Sequence, residues 1–101
     1  MALIYIVEDD ENIKEIEEYA LRGKGYEVKS FSDAEEFYKA LSGVLPDLVL
    51  LDIMLPKEDG MSVLKKLRAD KKTNELPVIM VTAKSSEIDK VKGLDAGADD
   101  Y

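Results

Sequence analysis

Short apolar runs alternate with longer stretches whose apolar residues recur at helical spacing, from one end of the chain to the other. Leu3-Ile4-Tyr5-Ile6-Val7 is β-branched and aromatic, which predicts a strand, and the charged cluster Glu8-Asp9-Asp10-Glu11 follows it as a loop. From about Glu11 to Lys24, Ile13, Ile16, Ala20 and the neighbouring Tyr19 form one apolar stripe with acids opposite, and Gly25 stands where a helix stops. A stripe of this kind places Ile13 and Ile16 in the core. Glu27 to Phe31 reads as a second strand, and Ser32-Asp33-Ala34-Glu35 matches a capping box opening a helix through Phe37, Ala40 and Leu41. Gly43 and Pro46 end that helix. Leu48-Val49-Leu50-Leu51 is continuously apolar, the pattern of a central parallel strand covered on both faces, and it runs straight into Asp52. Pro56 and Asp59-Gly60 mark a structured loop before a third helix around Val63, Leu64 and Leu67. Val78 to Val81 is a fourth strand ending at Thr82, and a fourth helix carries Ile88, Val91 and Leu94 and closes at Ala96-Gly97.

Four βα units in series imply right-handed crossovers and a doubly wound parallel α/β sheet with helices on both faces. In such sheets ligands sit beyond the carboxyl ends of the strands, where the strand order reverses. The 101 residues suffice for one domain. No apolar run approaches the roughly 20 residues of a membrane span. Cysteine is absent, which removes disulfides and thiolate sites and fits a reducing compartment, and histidine is absent too. Any metal must then be held by oxygen, which favours a hard cation such as Mg²⁺ over Zn²⁺. With 14 basic and 22 acidic residues the net charge is −8, which opposes binding to nucleic acid or an anionic membrane.

The first strand delivers Glu8 and Asp9 to the ligand edge of the sheet, the third delivers Asp52 and the fourth Thr82. Converging carboxylates repel and raise one another's pKa values unless a cation neutralises them, so Mg²⁺ is the natural occupant. Asp52 could then act as a nucleophile toward phosphorus and form an aspartyl phosphate, with Thr82 donating to the phosphoryl group. Taken singly, each residue has a plainer role. Acids 8 to 11 complement a helix N-terminus, Asp52 fits a turn or cap, and Thr82 fits a strand end. The joint placement at one edge favours the chemistry. The turn after the first strand is acidic and carries no Gly-rich phosphate loop, which argues against mononucleotide binding.

These residues resemble the receiver domains of two-component response regulators. Ile6-Val7-Glu8-Asp9-Asp10 looks like the strand-one acidic motif of that family. Leu50-Leu51-Asp52-Ile53-Met54-Leu55-Pro56 with Asp59-Gly60 looks like its phosphoacceptor motif, and Val81-Thr82-Ala83-Lys84 like its hydroxyl motif. The run from Gly93 to Tyr101 resembles the approach to strand five in winged-helix transcriptional regulators. The resemblance implies a flavodoxin-like receiver fold over residues 1–101, strand order 2-1-3-4, with most of strand five and helix five missing and no effector domain. It implies phosphorylation of Asp52 by a sensor histidine kinase or a small phosphodonor. Glu8, Asp9, Asp52 and the backbone carbonyl of Met54 would hold Mg²⁺, and Thr82 and Tyr101 would form a switch pair. A kinase would dock near helix one and the strand-five loop, in the cytoplasm. Receivers continue past this tyrosine with a lysine that meets the phosphoryl group, so the ending at Tyr101 is expected to mark a deliberate truncation, a fragment, or a receiver whose missing piece is supplied in trans, and to leave an open strand-four edge able to self-associate.

Two other classes compete: a fragment that assembles through its open edge without phosphotransfer, and a Mg²⁺-dependent phosphohydrolase. The second is disfavoured because Asp52-Ile53-Met54 lacks an acid two residues on to serve as general acid. A receiver of this kind phosphorylates and dephosphorylates itself at most and turns over no free substrate.

Overall fold

The structure is a computed structural model and describes residues 2–81. Its elements are β1 (Leu3–Val7), α1 (Glu11–Gly23), β2 (Glu27–Phe31), α2 (Ala34–Leu41), β3 (Leu48–Asp52), α3 (Gly60–Ala69) and β4 (Val78–Val81). The strands form one parallel sheet in the order β2-β1-β3-β4. The register pairs Val7 with both Phe31 and Leu51, and Asp52 with Val81, so the carboxyl ends of the strands finish at one edge. The order reverses between β1 and β3, which puts the residues after these two strands side by side.

The larger core lies under α2 and α3. Tyr5, Val7, Val49, Leu51, Val78 and Met80 from the sheet meet Phe37 of α2 and Val63, Leu64 and Leu67 of α3. Tyr5 also donates from its hydroxyl to the Val44 carbonyl at 2.6 Å, which ties the approach to β3 onto β1. On the other face Ile4, Ile6 and Val28 pack with Leu21 of α1, Leu48 and Leu50. Leu48 and Leu50 are half-buried there, whereas Val49 and Leu51 are wholly buried, so among the described residues β3 is fully covered on one face rather than on both.

Helix α1 also departs from its sequence pattern. Ile13, Ile16 and Tyr19 are 43%, 69% and 84% exposed, and the half-buried face is Lys14, Glu17, Glu18 and Leu21. Polar anchors to β2 and to Ser32 just after it accompany this rotation. Lys14 Nζ donates to Ser32 Oγ at 2.9 Å, the Ser30 hydroxyl donates to the Glu18 carboxylate, and Arg22 reaches the Val28 carbonyl at 3.1 Å. Ile13 and Ile16 are therefore surface residues, and Leu21 is the apolar contact that α1 makes with the sheet.

Each of the three described helices opens on an aspartate. Asp10 accepts from the Asn12 and Ile13 amides, Asp33 from Glu36 and Asp59 from Ser62. The capping pair of α2 stands one residue later than the sequence pattern suggests. Asp33 is the cap, Glu36 reaches back to the Ser32 amide at 3.0 Å, and the Ser32 hydroxyl is engaged by Lys14 instead. The expected fourth helix lies outside the described residues.

Candidate functional site

The site is built where β1 and β3 end. Glu8 follows β1 directly, and its amide donates to the Phe31 carbonyl at 3.0 Å, which extends the ladder by one residue and draws its side chain inward. Glu8 is only 4% exposed, Asp9 beside it is exposed, and Asp52 closes β3 half-buried. One carboxylate oxygen from each of the three lies within 4.8 Å of the others. Asp10 and Glu11 stand apart from this group: Asp10 is the helix cap, and Glu11 pairs with Lys14 at 2.8 Å. Of the acidic run, two residues serve the site and two serve α1.

Crowding three carboxyls under partial burial disfavours their charged forms. Burial pushes Glu8 up to about 7, the Asp52 and Glu17 charges reinforce this, and the Asp10 amide opposes it through a 3.1 Å bond to Glu8 Oε1. Asp52 is raised chiefly by burial and then by Asp9, while the Met54 amide, 3.2 Å from Asp52 Oδ1, holds it down. The donor set is all carboxylate oxygen, which matches the ligands a hard divalent cation takes. Such an ion would lower all these pKa values together.

The loop after Asp52 is closed tightly. The Ile53 amide donates to the Val81 carbonyl at 3.1 Å, and the Gly60 amide donates to the Ile53 carbonyl at 2.8 Å. A Cβ at residue 60 would stand 2.2 Å from the Asp52 carbonyl oxygen and 2.8 Å from Ile53 Cα, so only glycine lets the start of α3 approach the acid so closely. Met54 is 59% exposed on this loop. With Asp9, Leu55 and Met61 it borders an open depression beside the acids.

Glu8, Asp9 and Asp52 are thus brought together as expected, with Met54 adjacent. Thr82, Lys84 and Tyr101 lie outside the described residues. One acid escaped the sequence reading. Glu17 projects from α1 with Oε1 buried and without a hydrogen-bond partner among the described residues, and its carboxyl is raised by burial and by the Asp52 charge. The alternative helical face 14-17-18-21 contains it, but its polarity conceals it from a search for apolar stripes.

Residues 4–101 match the response regulator receiver domain. The chain is 48% identical over 98 residues to the alkaline phosphatase synthesis transcriptional regulatory protein PhoP of Bacillus subtilis, covering 97% of this chain and 40% of that protein. It therefore spans about two fifths of that relative's length. A Chloroflexus aurantiacus protein described as a response regulator superposes with TM-score 0.94 at 38% identity, covering 99% of this chain and 82% of the other. The phosphorylated cyanobacterial phytochrome response regulator RcpA superposes with TM-score 0.91 at 28% identity, covering 99% of this chain and 78% of the other. By sequence and by fold, the chain belongs to the receiver domains of two-component response regulators.

Proposed function

We propose that the chain is a phosphoacceptor whose Asp52 takes a phosphoryl group from a sensor histidine kinase or a small phosphodonor in the cytoplasm. The observation that carries this reading is the convergence of Glu8, Asp9 and Asp52 within 4.8 Å at the switch point of the sheet, beside an open depression. An Asp52 oxygen attacks phosphorus, the bond from phosphorus to the donor nitrogen or oxygen breaks, and the leaving group departs with that electron pair. Glu8, Asp9, Asp52 and the Met54 backbone carbonyl would hold Mg²⁺. When bound, that ion supplies positive charge against the phosphoryl oxygens and the crowded carboxylates. The chain's own contribution is to hold Asp52 at the end of a rigid strand and to keep Glu8 and Asp9 ready as ligands. The family pattern adds Thr82 as hydroxyl donor to the phosphoryl group and Tyr101 as its switch partner.

The exposed Ile13, Ile16 and Tyr19 face of α1, capped beside the acids, suits the kinase contact. The Bacillus relative is a transcriptional regulatory protein, and we assign this chain the input role in such a regulator. Intact mass spectrometry after incubation with acetyl phosphate tests the reading. One phosphoryl group should appear with Mg²⁺, none with EDTA, and none on an Asp52→Asn variant. An adduct of equal yield on that variant would refute it.

A further inference from the structure

We propose that Glu58 is a positioning residue, clamping the strained loop between Asp52 and α3 that carries Met54, whose amide donates to Asp52 Oδ1 at 3.2 Å. The inference rests on the reading of Met54 and the carboxylates as cation ligands. It starts from an anomaly of the backbone. Lys57 has φ 69°, the one non-glycine residue with positive φ among the described residues. The Glu58 amide donates across it to the Pro56 carbonyl at 2.7 Å, which closes a three-residue turn. A turn of this hand about a residue with a Cβ is rare and strained, costing on the order of 1–2 kcal/mol. Such strain persists only where the surroundings over-determine it.

The over-determination comes from one side chain. The Glu58 carboxylate accepts from the Tyr38 hydroxyl at 3.2 Å and from the Ser62 hydroxyl at 2.9 Å, and it pairs with Lys66 Nζ at 2.8 Å. Lys66 in turn lies over the Tyr38 ring, 5.7 Å from its centroid. Glu58 thereby fastens the loop to α2 on one side and to α3 on the other. The two ends of the loop are already tied to each other by the Gly60 amide on the Ile53 carbonyl, so Glu58 supplies the further point that a segment carrying Met54 needs to hold its shape. Lys57 adds little, since its ammonium is 4.0 Å from Asp33 and 73% exposed. Replacing Lys57 by glycine removes the strain at its source, so the two residues should be coupled: the clamp matters because the turn resists.

The test compares the 101-residue chain with Glu58→Ala, Lys57→Gly and the double variant. Mg²⁺ affinity is measured by calorimetry, and amide hydrogen exchange across residues 53–59 is measured in EDTA. Glu58→Ala should weaken Mg²⁺ binding about tenfold, as loss of a contact that orients a metal ligand does. It should speed exchange in the loop while leaving exchange in β1 and β3 unchanged. Lys57→Gly should restore most of the affinity in the Glu58→Ala background, and Tyr38→Phe should reproduce part of the loss. Unchanged loop exchange in Glu58→Ala, or weakened Mg²⁺ binding that Lys57→Gly does not recover, would overturn the clamp. If the parent chain bound no Mg²⁺, the metal reading would fall, and the exchange comparison would still decide whether Glu58 fixes the loop.

Discussion

Replacing Glu8 with glutamine should make the metal-free protein more stable above neutral pH. The substitution keeps an oxygen to accept from the Asp10 amide and removes a charge from a site that is 4% exposed. Raising a carboxyl from 4.5 to about 7 corresponds to about 3 kcal/mol between its protonation states. The sign follows from proton binding. Between about pH 4.5 and pH 7 the folded chain holds a proton on Glu8 that the unfolded chain has lost, so stability falls as pH rises through that window and levels off above it. Asp52 and Glu17, also raised, add to the fall. Glu58, lowered chiefly by its hydrogen bond to Lys66, acts in the opposite sense but below this window: its contribution is present above about pH 4.5 and is lost as pH falls further. At pH 8 in EDTA, Glu8→Gln should exceed the parent by about 2–3 kcal/mol, or about 10–20 °C in Tm for a domain of this size. At pH 5 the gap should shrink to about 1 kcal/mol or less. Mg²⁺ at a hundredfold excess over its Kd should return about 2.7 kcal/mol to the parent and far less to the variant. Thermal or urea unfolding at pH 5, 6, 7 and 8, with EDTA or Mg²⁺, gives these numbers. A metal-free parent as stable at pH 8 as at pH 5, or a variant no more stable than the parent at pH 8, would refute the electrostatic reasoning.

Gly60→Ala should cost about 3 kcal/mol, the upper end for overpacking, because the new methyl meets backbone atoms that cannot swing aside; urea denaturation reads this directly. Ile16→Asp should leave stability within about 0.5 kcal/mol, as expected of a surface position, while weakening transfer from a cognate histidine kinase more than transfer from acetyl phosphate. Tyr5→Phe should cost about 1–2 kcal/mol by leaving the Val44 carbonyl without its donor, measurable as a lower midpoint at unchanged slope.

The sheet was legible in the sequence because its signals were local. Leu3–Val7 and Val78–Val81 are short apolar runs, and Asp52 closes a third, Leu48-Val49-Leu50-Leu51, whose continuous apolarity reads as a strand. The acids at the strand ends followed from topology alone, since parallel βα units bring all carboxyl ends to one edge. Helix α1 departs from its periodicity because its apolar residues suggest one face and its polar anchors to β2 enforce another. Hydrogen bonds from Ser30 to Glu18 and from Arg22 to Val28 depend on tertiary neighbours that periodicity does not encode. Glu17 was concealed by the same rotation. The need for glycine at residue 60 and the strained turn at Lys57 are likewise matters of close approach, visible only once the loop folds back on Asp52. Asp59-Gly60 announced a turn, and the structure adds that Asp59 caps α3 while Gly60 makes room for the phosphoacceptor candidate.

The central claim is that Asp52 carries the phosphoryl group. After reaction with acetyl phosphate and Mg²⁺, borohydride reduces an acyl phosphate on aspartate to homoserine, and peptide sequencing by mass spectrometry then finds the converted residue. Conversion is expected at position 52 and nowhere else, abolished by EDTA. Conversion at Glu8 or Asp9, or a phosphoryl group found only on a serine, threonine or tyrosine hydroxyl, would contradict it.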